Sequence, residues 1–213
     1  MFESINLPLI LLAAFLSTAS PGPATLAIAG TSMSGGRRKG LAIAAGITTG
    51  SWIWSISAAL GLGTLMLANA WAFETIRYLG ACYLLFLAYK SARSALATHP
   101  ASIGTNARTI TLRSAYSHGL GLHVTNPKAI LFFGALFSIG VPPGTPALAL
   151  AGVIACVGLQ SFLIFHGYAM LFSSTGMIKK YQQLRRWFES AFAIAFGIAF
   201  GIAGIKVLTT RLS

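Results

Sequence analysis

The chain has 213 residues, of which 55% are apolar and only 8% are charged, and its mean hydropathy is +0.75. A water-soluble domain of this length needs far more polar surface, so the composition excludes a soluble globular protein. The formal net charge of +12 would suit a nucleic-acid partner, but the basic residues are divided among short segments between apolar blocks, and we exclude that partner as well.

Six apolar blocks follow one another along the chain, each with roughly the 20 residues that a membrane-spanning helix needs. They are too long, and too apolar on every face, for the strands of a membrane barrel. We therefore predict an all-α polytopic membrane protein, a single integral membrane domain over residues 1–213. The first block has no basic residue before Arg37 and is too long for a signal peptide, so we expect it to be retained. The predicted spans are residues 5–30, 40–67, 76–96, 117–140, 147–172 and 190–208.

The basic residues between the spans indicate the orientation, because cytoplasmic loops collect Lys and Arg. Eleven of them lie in or flank the first, third and fifth inter-span segments, and the opposite side holds only Arg77, Lys206 and Arg211. This pattern predicts both termini on the periplasmic side of a bacterial inner membrane. The eleven are Arg37, Arg38, Lys39, Lys90, Arg93, Arg108, Arg113, Lys179, Lys180, Arg185 and Arg186.

The first span is interrupted at Pro21, Gly22 and Pro23. Each proline lacks a backbone donor and clashes with the carbonyl four residues back, so the carbonyls of Ser17 and Ala19 lose their partners within the helix. Unpaired backbone groups cannot face lipid, and the break must therefore face protein or a wet cavity. Hydroxyl side chains precede the break at Ser17, Thr18 and Ser20.

The fourth span repeats this device, since Pro127 frees the carbonyl of His123 and follows Thr125 and Asn126. Lys128 comes next, and a lysine at a helix centre costs about 2.5 to 3.5 kcal/mol on insertion scales. Two interpretations are open: the lysine extends along its helix to the membrane surface, or it faces a functional cavity.

Two broken helices, one in each half of a six-helix chain, are typical of secondary transporters built from repeats. Because three helices per half is an odd number, the halves insert in opposite directions, and we predict two inverted three-helix repeats. Glycine pairs at four-residue spacing lie in the second and sixth spans, and each serves either packing within the chain or a homodimer face. These pairs are Gly46 with Gly50 and Gly197 with Gly201.

The cysteines, the tryptophans and the possible catalytic residues give weaker indications of function. Cys82 and Cys156 lie inside spans, so we predict no disulfide framework, no metal and no cofactor. Trp52 and Trp54 near mid-helix indicate either packing and lipid contact or a cavity wall. The common hydrolytic motifs are missing, and an intramembrane enzyme would have to use a pair such as Ser161 with His166. A channel or a scaffold without coupled transport is the other alternative.

Four motifs in order resemble the lysine-exporter superfamily, and within it the homoserine/threonine-resistance branch of amino-acid exporters. The resemblance covers essentially the whole chain in length, helix count and motif order. The motifs are Pro21-Gly22-Pro23, the Gly40, Gly46 and Gly50 run after a basic segment, Gly80-Ala81-Cys82-Tyr83-Leu84-Leu85, and Asn126-Pro127-Lys128-Ala129.

The resemblance implies proton-driven efflux of amino acids or close derivatives from the bacterial cytoplasm, without enzymatic activity, by a protein whose other partner is membrane lipid. Members that handle basic amino acids are expected to place an acidic residue in the membrane. This chain has no Asp, and Glu3, Glu74 and Glu189 all lie near span edges. A small neutral substrate of the threonine or homoserine kind is therefore expected.

A zwitterionic substrate suits the two breaks. Its carboxylate would meet Lys128 and the N-terminal end of a half-helix, and its ammonium would meet the freed carbonyls and an aromatic face such as Tyr83. Three intramembrane groups are candidates for proton coupling, namely His123, His166 and Lys128. The predicted substrate-binding residues are Ser17, Pro21, Gly22, Pro23, Tyr83, His123, Asn126, Pro127 and Lys128.

Overall fold

The computed structural model describes residues 5–20, 22–68, 110–142 and 144–174 continuously, with isolated positions between 71 and 93 and between 176 and 194. These residues form six α-helices and no strand, so the all-α prediction is confirmed for the described part of the chain. The predicted third and sixth spans fall outside the continuously described residues. The helices are α1 (Leu7–Ala19), α2 (Pro23–Gly35), α3 (Arg37–Ala68), α4 (Leu112–Val124), α5 (Pro127–Gly140) and α6 (Ala147–Leu171).

The six described helices correspond to four of the predicted spans. Helix α6 and the Arg37–Gly61 part of α3 are each long and apolar enough to cross a membrane alone. Helices α1 and α2 form one bent pair with an angle of 49°, and α4 and α5 form another with an angle of 57°. Both bends fall at the proline motifs, because a proline at the first helical position starts a new helix but cannot continue the previous one.

The connection between the first two spans is shorter than predicted. Gly36 alone separates α2 from α3, and its φ of +78° with ψ of 174° is a conformation that only glycine adopts readily. The basic residues Arg37 to Lys39, predicted as a loop, form the first turn of α3 instead. A helix of 32 residues is about 48 Å long, which exceeds the roughly 30 Å thickness of the hydrocarbon core. The charged N-terminal end of α3 can therefore lie outside the core.

Helices α3 and α4 cross closely through small residues. A methyl group added at Gly46 would overlap the Tyr116 carbonyl, and one added at Gly119 would overlap the Ile43 carbonyl. At Gly50 the added carbon would lie 2.9 Å from the His123 Cβ. The first glycine pair therefore packs within the chain, as one of the two interpretations predicted, whereas Gly197 and Gly201 lie outside the described residues.

Two hydrophobic clusters hold the described helices together, and large apolar side chains on α1 and α6 also remain exposed, as expected for lipid contact. The first cluster joins α1, α5 and α6 and includes Ile10, Phe132, Phe133, Val153 and Val157. The second joins α2, α3, α4 and α6 and includes Ile28, Ile43, Ile47, Ala115 and Phe165.

Candidate functional site

The break between α1 and α2 is organised by hydroxyl groups. Thr25 Oγ1 accepts a hydrogen bond from the Gly22 backbone N–H at 2.8 Å and donates to the Gly22 carbonyl at 3.0 Å. The Ser20 hydroxyl donates to the Ser17 carbonyl at 3.0 Å. Gly22 is the extended residue that caps α2, and Pro23 is the first residue of that helix. Hydrogen bonds within the break therefore hold it as a defined turn. The predicted site residue Pro21 lies outside the described part of the chain.

The break between α4 and α5 is organised by Asn126. Its side-chain oxygen accepts from the backbone N–H of Lys128 at 3.0 Å, which caps the N-terminus of α5. Its own backbone N–H donates to the His123 carbonyl at 3.2 Å. Pro127 occupies the first position of α5, where a missing N–H has no consequence. The backbone of Lys128 is therefore fixed by the turn that precedes it.

The Lys128 side chain joins the two breaks. Its ammonium donates to the Ser17 carbonyl at 3.1 Å and to the Ser20 hydroxyl at 2.7 Å, more than a hundred residues away in the sequence. Ser17 and Ser20 lie at the C-terminal end of α1, where the helix dipole favours a cation. Of the two interpretations of Lys128, the structure matches the one in which its ammonium faces the protein interior.

The carbonyls freed by the prolines have partners inside the protein. The Ser17 carbonyl accepts a hydrogen bond from the Lys128 ammonium, and the Ala19 carbonyl accepts one from the Tyr168 hydroxyl of α6 at 2.7 Å. The His123 carbonyl accepts from the Asn126 N–H, as described above. The carbonyls that lose their partners within the helix therefore find donors elsewhere in the protein, because buried polar groups away from water are satisfied wherever the fold can supply a donor.

An open pocket lies where the two breaks meet, and its space of about 400 Å³ includes open solvent at its mouth. Hydroxyls, an amide, an imidazole and an ammonium form its polar lining, and three phenylalanine rings from both hydrophobic clusters form much of the rest. We call it the junction cavity. Its lining residues are Ser17, Thr18, Ser20, Gly22, Pro23, Ala24, Thr25, Ser51, His123, Asn126, Lys128, Ala129, Phe132, Phe133 and Phe165.

The junction cavity contains one of the two candidate histidines. His123 is only 6% exposed, and its Nε2 lies 3.1 Å from the Ser51 hydroxyl of α3. His166 is absent from the lining; its Nδ1 lies 2.9 Å from the Phe162 carbonyl, and its ring packs on the Phe162 ring with centroids 4.1 Å apart. Since Ser161 has no hydrogen-bond partner among the described residues, the hydrolytic pair Ser161 with His166 is not formed there.

Six of the nine predicted binding residues line the cavity, namely Ser17, Gly22, Pro23, His123, Asn126 and Lys128. Pro127 lies at the second break outside the lining, and Pro21 and Tyr83 are not among the described residues. Ser51 in the lining and Tyr168 beside it were not predicted, because a single hydroxyl in an apolar span gives no sign of what it faces. Trp52 packs against Gly158 rather than lining the cavity, which agrees with the packing interpretation.

Two broken helices that meet around a polar cavity are typical of membrane transporters. The comparison with known proteins identifies the family of the chain. The family model described as LysE type translocator matches residues 15–208, and the chain belongs to this family. The predicted membership of the lysine-exporter superfamily is confirmed.

Several curated relatives match most of the chain. The threonine efflux protein of Salmonella typhi is 31% identical over 171 residues, which is 80% of this chain and 83% of the relative. The homoserine/homoserine lactone efflux protein of Salmonella typhimurium is 34% identical over 76% of this chain and 77% of its own length. The leucine efflux protein of Klebsiella pneumoniae is 32% identical over 78% and 81%, respectively. No solved structure shows significant similarity to the chain.

Proposed function

We propose that this protein exports a small neutral amino acid, of the threonine or homoserine kind, across the bacterial inner membrane by antiport against protons. Membership of the LysE type translocators and the names of the relatives support amino-acid export. The single observation that carries the proposal is the Lys128 ammonium, which lies in the junction cavity and is held by the end of α1.

The two ends of a zwitterion match this arrangement. The carboxylate accepts from the Lys128 ammonium beside the N-terminus of α5, where the helix dipole favours an anion. The substrate ammonium takes the Ser17 carbonyl and the Ser20 hydroxyl, which Lys128 occupies in the described structure. Substrate and lysine therefore compete for the same two oxygens, and the substrate carboxylate gives Lys128 a new partner in exchange.

The lining favours a substrate without a charged side chain. None of the described lining residues is acidic, so a cationic side chain would find no counter-ion there. The aromatic rings of Phe132, Phe133 and Phe165 suit a small carbon skeleton. The substrate thus carries its only charges on its α-amino and α-carboxyl groups.

Proton coupling is assigned to groups that share the cavity with the substrate. Lys128 and His123 meet this condition, and His166 does not. A protonated Lys128 donates to Ser17 and Ser20, whereas its neutral form releases them more readily. Protonation and substrate binding are then linked because both act on the same two oxygens of α1.

The contacts among the described helices support the inverted repeat. A symmetry that exchanges α1 with α4, α2 with α5, and α3 with α6 converts the observed α1–α6 contact into α4–α3. It likewise converts α2–α6 into α5–α3 and α1–α5 into α4–α2, and all of these pairs are in contact. The α2–α3 contact is the exception, because α5 and α6 do not pack together to a similar extent. Such halves can alternate around the cavity between them. The distribution of the basic residues supports a periplasmic location of both termini. We assign a homodimer face to Gly197 and Gly201, because Gly46 and Gly50 pack within the chain.

The proposal is tested by amino-acid accumulation in a bacterial host fed threonine-containing dipeptides, with and without this gene. We expect the gene to lower intracellular threonine and raise external threonine, and an uncoupler to abolish the difference. A channel would instead show downhill flux that persists with the uncoupler. If no fed amino acid moves in a gene-dependent way, the proposal is wrong.

A matched pair of variants locates the activity. Asn126→Ala removes the cap that fixes Lys128, which costs about 1 kcal/mol locally and displaces the ammonium, so we expect export to fall at least about tenfold. Asn6→Ala removes the equivalent cap from α1, where Asn6 accepts from the Leu9 N–H, but Asn6 is absent from the described cavity lining. Export by Asn6→Ala should remain near the wild-type rate at equal membrane abundance.

A further inference from the structure

His123 has one side-chain atom that no other described group satisfies. The residue is 6% exposed, and its Nδ1 is buried without a hydrogen-bond partner among the described residues. Buried polar atoms of this kind are rare, and each needs a physical explanation. Because His123 belongs to the lining of the junction cavity, a group of the bound substrate is one such explanation.

The neighbours of His123 fix which kind of group fits. The Ser51 hydroxyl has a single hydrogen, and two acceptors lie within its reach, the Ile47 carbonyl at 3.2 Å and His123 Nε2 at 3.1 Å. We assign the hydrogen to the Ile47 carbonyl, so that in the neutral ring Nε2 donates to Ser51 and Nδ1 carries a lone pair. With this assignment Nδ1 is an acceptor, and a substrate group that pairs with it must be a donor.

The surroundings of the ring also give it one orientation. A carbon added at Gly50 would lie 3.1 Å from the His123 Cδ2, so α3 covers that edge, and Nδ1 lies on the other side of the ring. Phe165 packs edge-on against the ring with centroids 6.0 Å apart. Ser51, Gly50 and Phe165 thus pack against the imidazole.

We propose that His123, positioned by Ser51, recognises a hydroxyl group on the substrate side chain. This inference rests on the proposed export of a neutral amino acid and goes further, because the names of the relatives include both hydroxylated and purely apolar side chains. The substrate ammonium and carboxylate use the oxygens of α1 and Lys128, and a side-chain hydroxyl donates to Nδ1. A substrate without a hydroxyl leaves Nδ1 unpaired and is selected against.

The test compares threonine with 2-aminobutyrate, which has the same carbon skeleton without the hydroxyl. Purified protein in proteoliposomes with an imposed pH gradient transports each labelled amino acid, and kcat/KM is measured for both. We expect the wild-type protein to favour threonine by about threefold to tenfold, the value of one neutral hydrogen bond. In Ser51→Ala the ring loses its partner at Nε2, and we expect this preference to shrink at least about threefold. The loss should appear in kcat/KM for threonine and leave that for 2-aminobutyrate nearly unchanged.

Ser55→Ala is the matched control. Ser55 lies one turn further along α3, is likewise fully buried, and has a hydroxyl without a hydrogen-bond partner among the described residues, but it is absent from the described lining. Its variant should keep the wild-type preference. A wild-type protein that transports both amino acids equally would overturn this inference alone, even if Ser51→Ala failed to fold. An equal loss of both substrates in Ser51→Ala would overturn it too, whereas a wild-type protein that moves neither would overturn the proposed function itself.

Discussion

Replacing Lys128 with Met removes the charge and keeps most of the side-chain length. In the described structure this deletes two hydrogen bonds from a charged donor, to the Ser17 carbonyl at 3.1 Å and to the Ser20 hydroxyl at 2.7 Å. In the proposed complex it deletes the partner of the substrate carboxylate. A hydrogen bond to a charged group is worth about 1.5 to 3 kcal/mol, so kcat/KM for threonine should fall about 10- to 150-fold.

We expect Lys128→Met to lower transport without lowering the stability of the protein in the membrane. On insertion scales a lysine at a helix centre costs about 2.5 to 3.5 kcal/mol, and replacing it with methionine removes that cost. The Ser17 carbonyl loses one donor but still accepts from the Ser20 hydroxyl at 3.0 Å. We therefore expect the amount of Lys128→Met in the membrane to equal or exceed that of the wild-type protein.

The assay is threonine transport into proteoliposomes across a range of concentrations, with protein amounts matched by quantitative gel. Lys128→Arg is the companion variant, because it retains the positive charge in a bulkier group and should keep more activity than Lys128→Met. Wild-type kcat/KM in Lys128→Met, at matched protein, would refute the assignment of the carboxylate to this residue.

Two further substitutions separate packing from binding. Gly46→Ala places a methyl group on the Tyr116 carbonyl, and overpacking of this kind costs about 1 to 3 kcal/mol, whereas Gly121→Ala on α4 meets nothing within 4 Å. Thermal unfolding in detergent should show a lower Tm for the first variant only; equal Tm values would contradict the close crossing of α3 and α4. Tyr168→Phe deprives the Ala19 carbonyl of its 2.7 Å hydrogen bond and should cost about 1 to 3 kcal/mol of stability. Because Tyr168 is outside the described lining, its variant should bind threonine with wild-type affinity in equilibrium dialysis, and a weakened affinity would place it in the site instead.

The helical fold and the two breaks were predictable because they depend on local chemistry. A run of about 20 apolar residues can satisfy its backbone in lipid only as a helix, and a proline interrupts that helix wherever it occurs. Pro23 and Pro127 therefore mark the starts of α2 and α5 in the sequence as plainly as in the structure. The short connection between α2 and α3 was not predicted, because a single glycine with positive φ, Gly36, joins them where a loop was expected.

The partners across the cavity were not predictable, because they depend on how the helices pack. Ser51 faces His123 only because Gly46 and Gly50 bring α3 and α4 close together. Nothing in the local sequence around Ser51 distinguishes it from Ser55, which is buried on the same helix without a partner among the described residues. Sequence reasoning identifies the unusual residues at a break, but it does not identify the ordinary serine that orients one of them.

The freed carbonyls explain why the site unites three helices of the chain. A carbonyl without a donor costs several kcal/mol in lipid, so each proline in a span creates a demand that the fold must meet. The Ser17 carbonyl has a local donor in the Ser20 hydroxyl and a second one in Lys128, whereas the donor for Ala19 is Tyr168; these two donors lie 111 and 149 residues further along the chain. The end of α1 therefore gains its full set of donors only when α5 and α6 are in place. Of the two distant donors only Lys128 lines the cavity, and the same demand that completes the fold therefore puts a cation where the proposed zwitterionic substrate would bind.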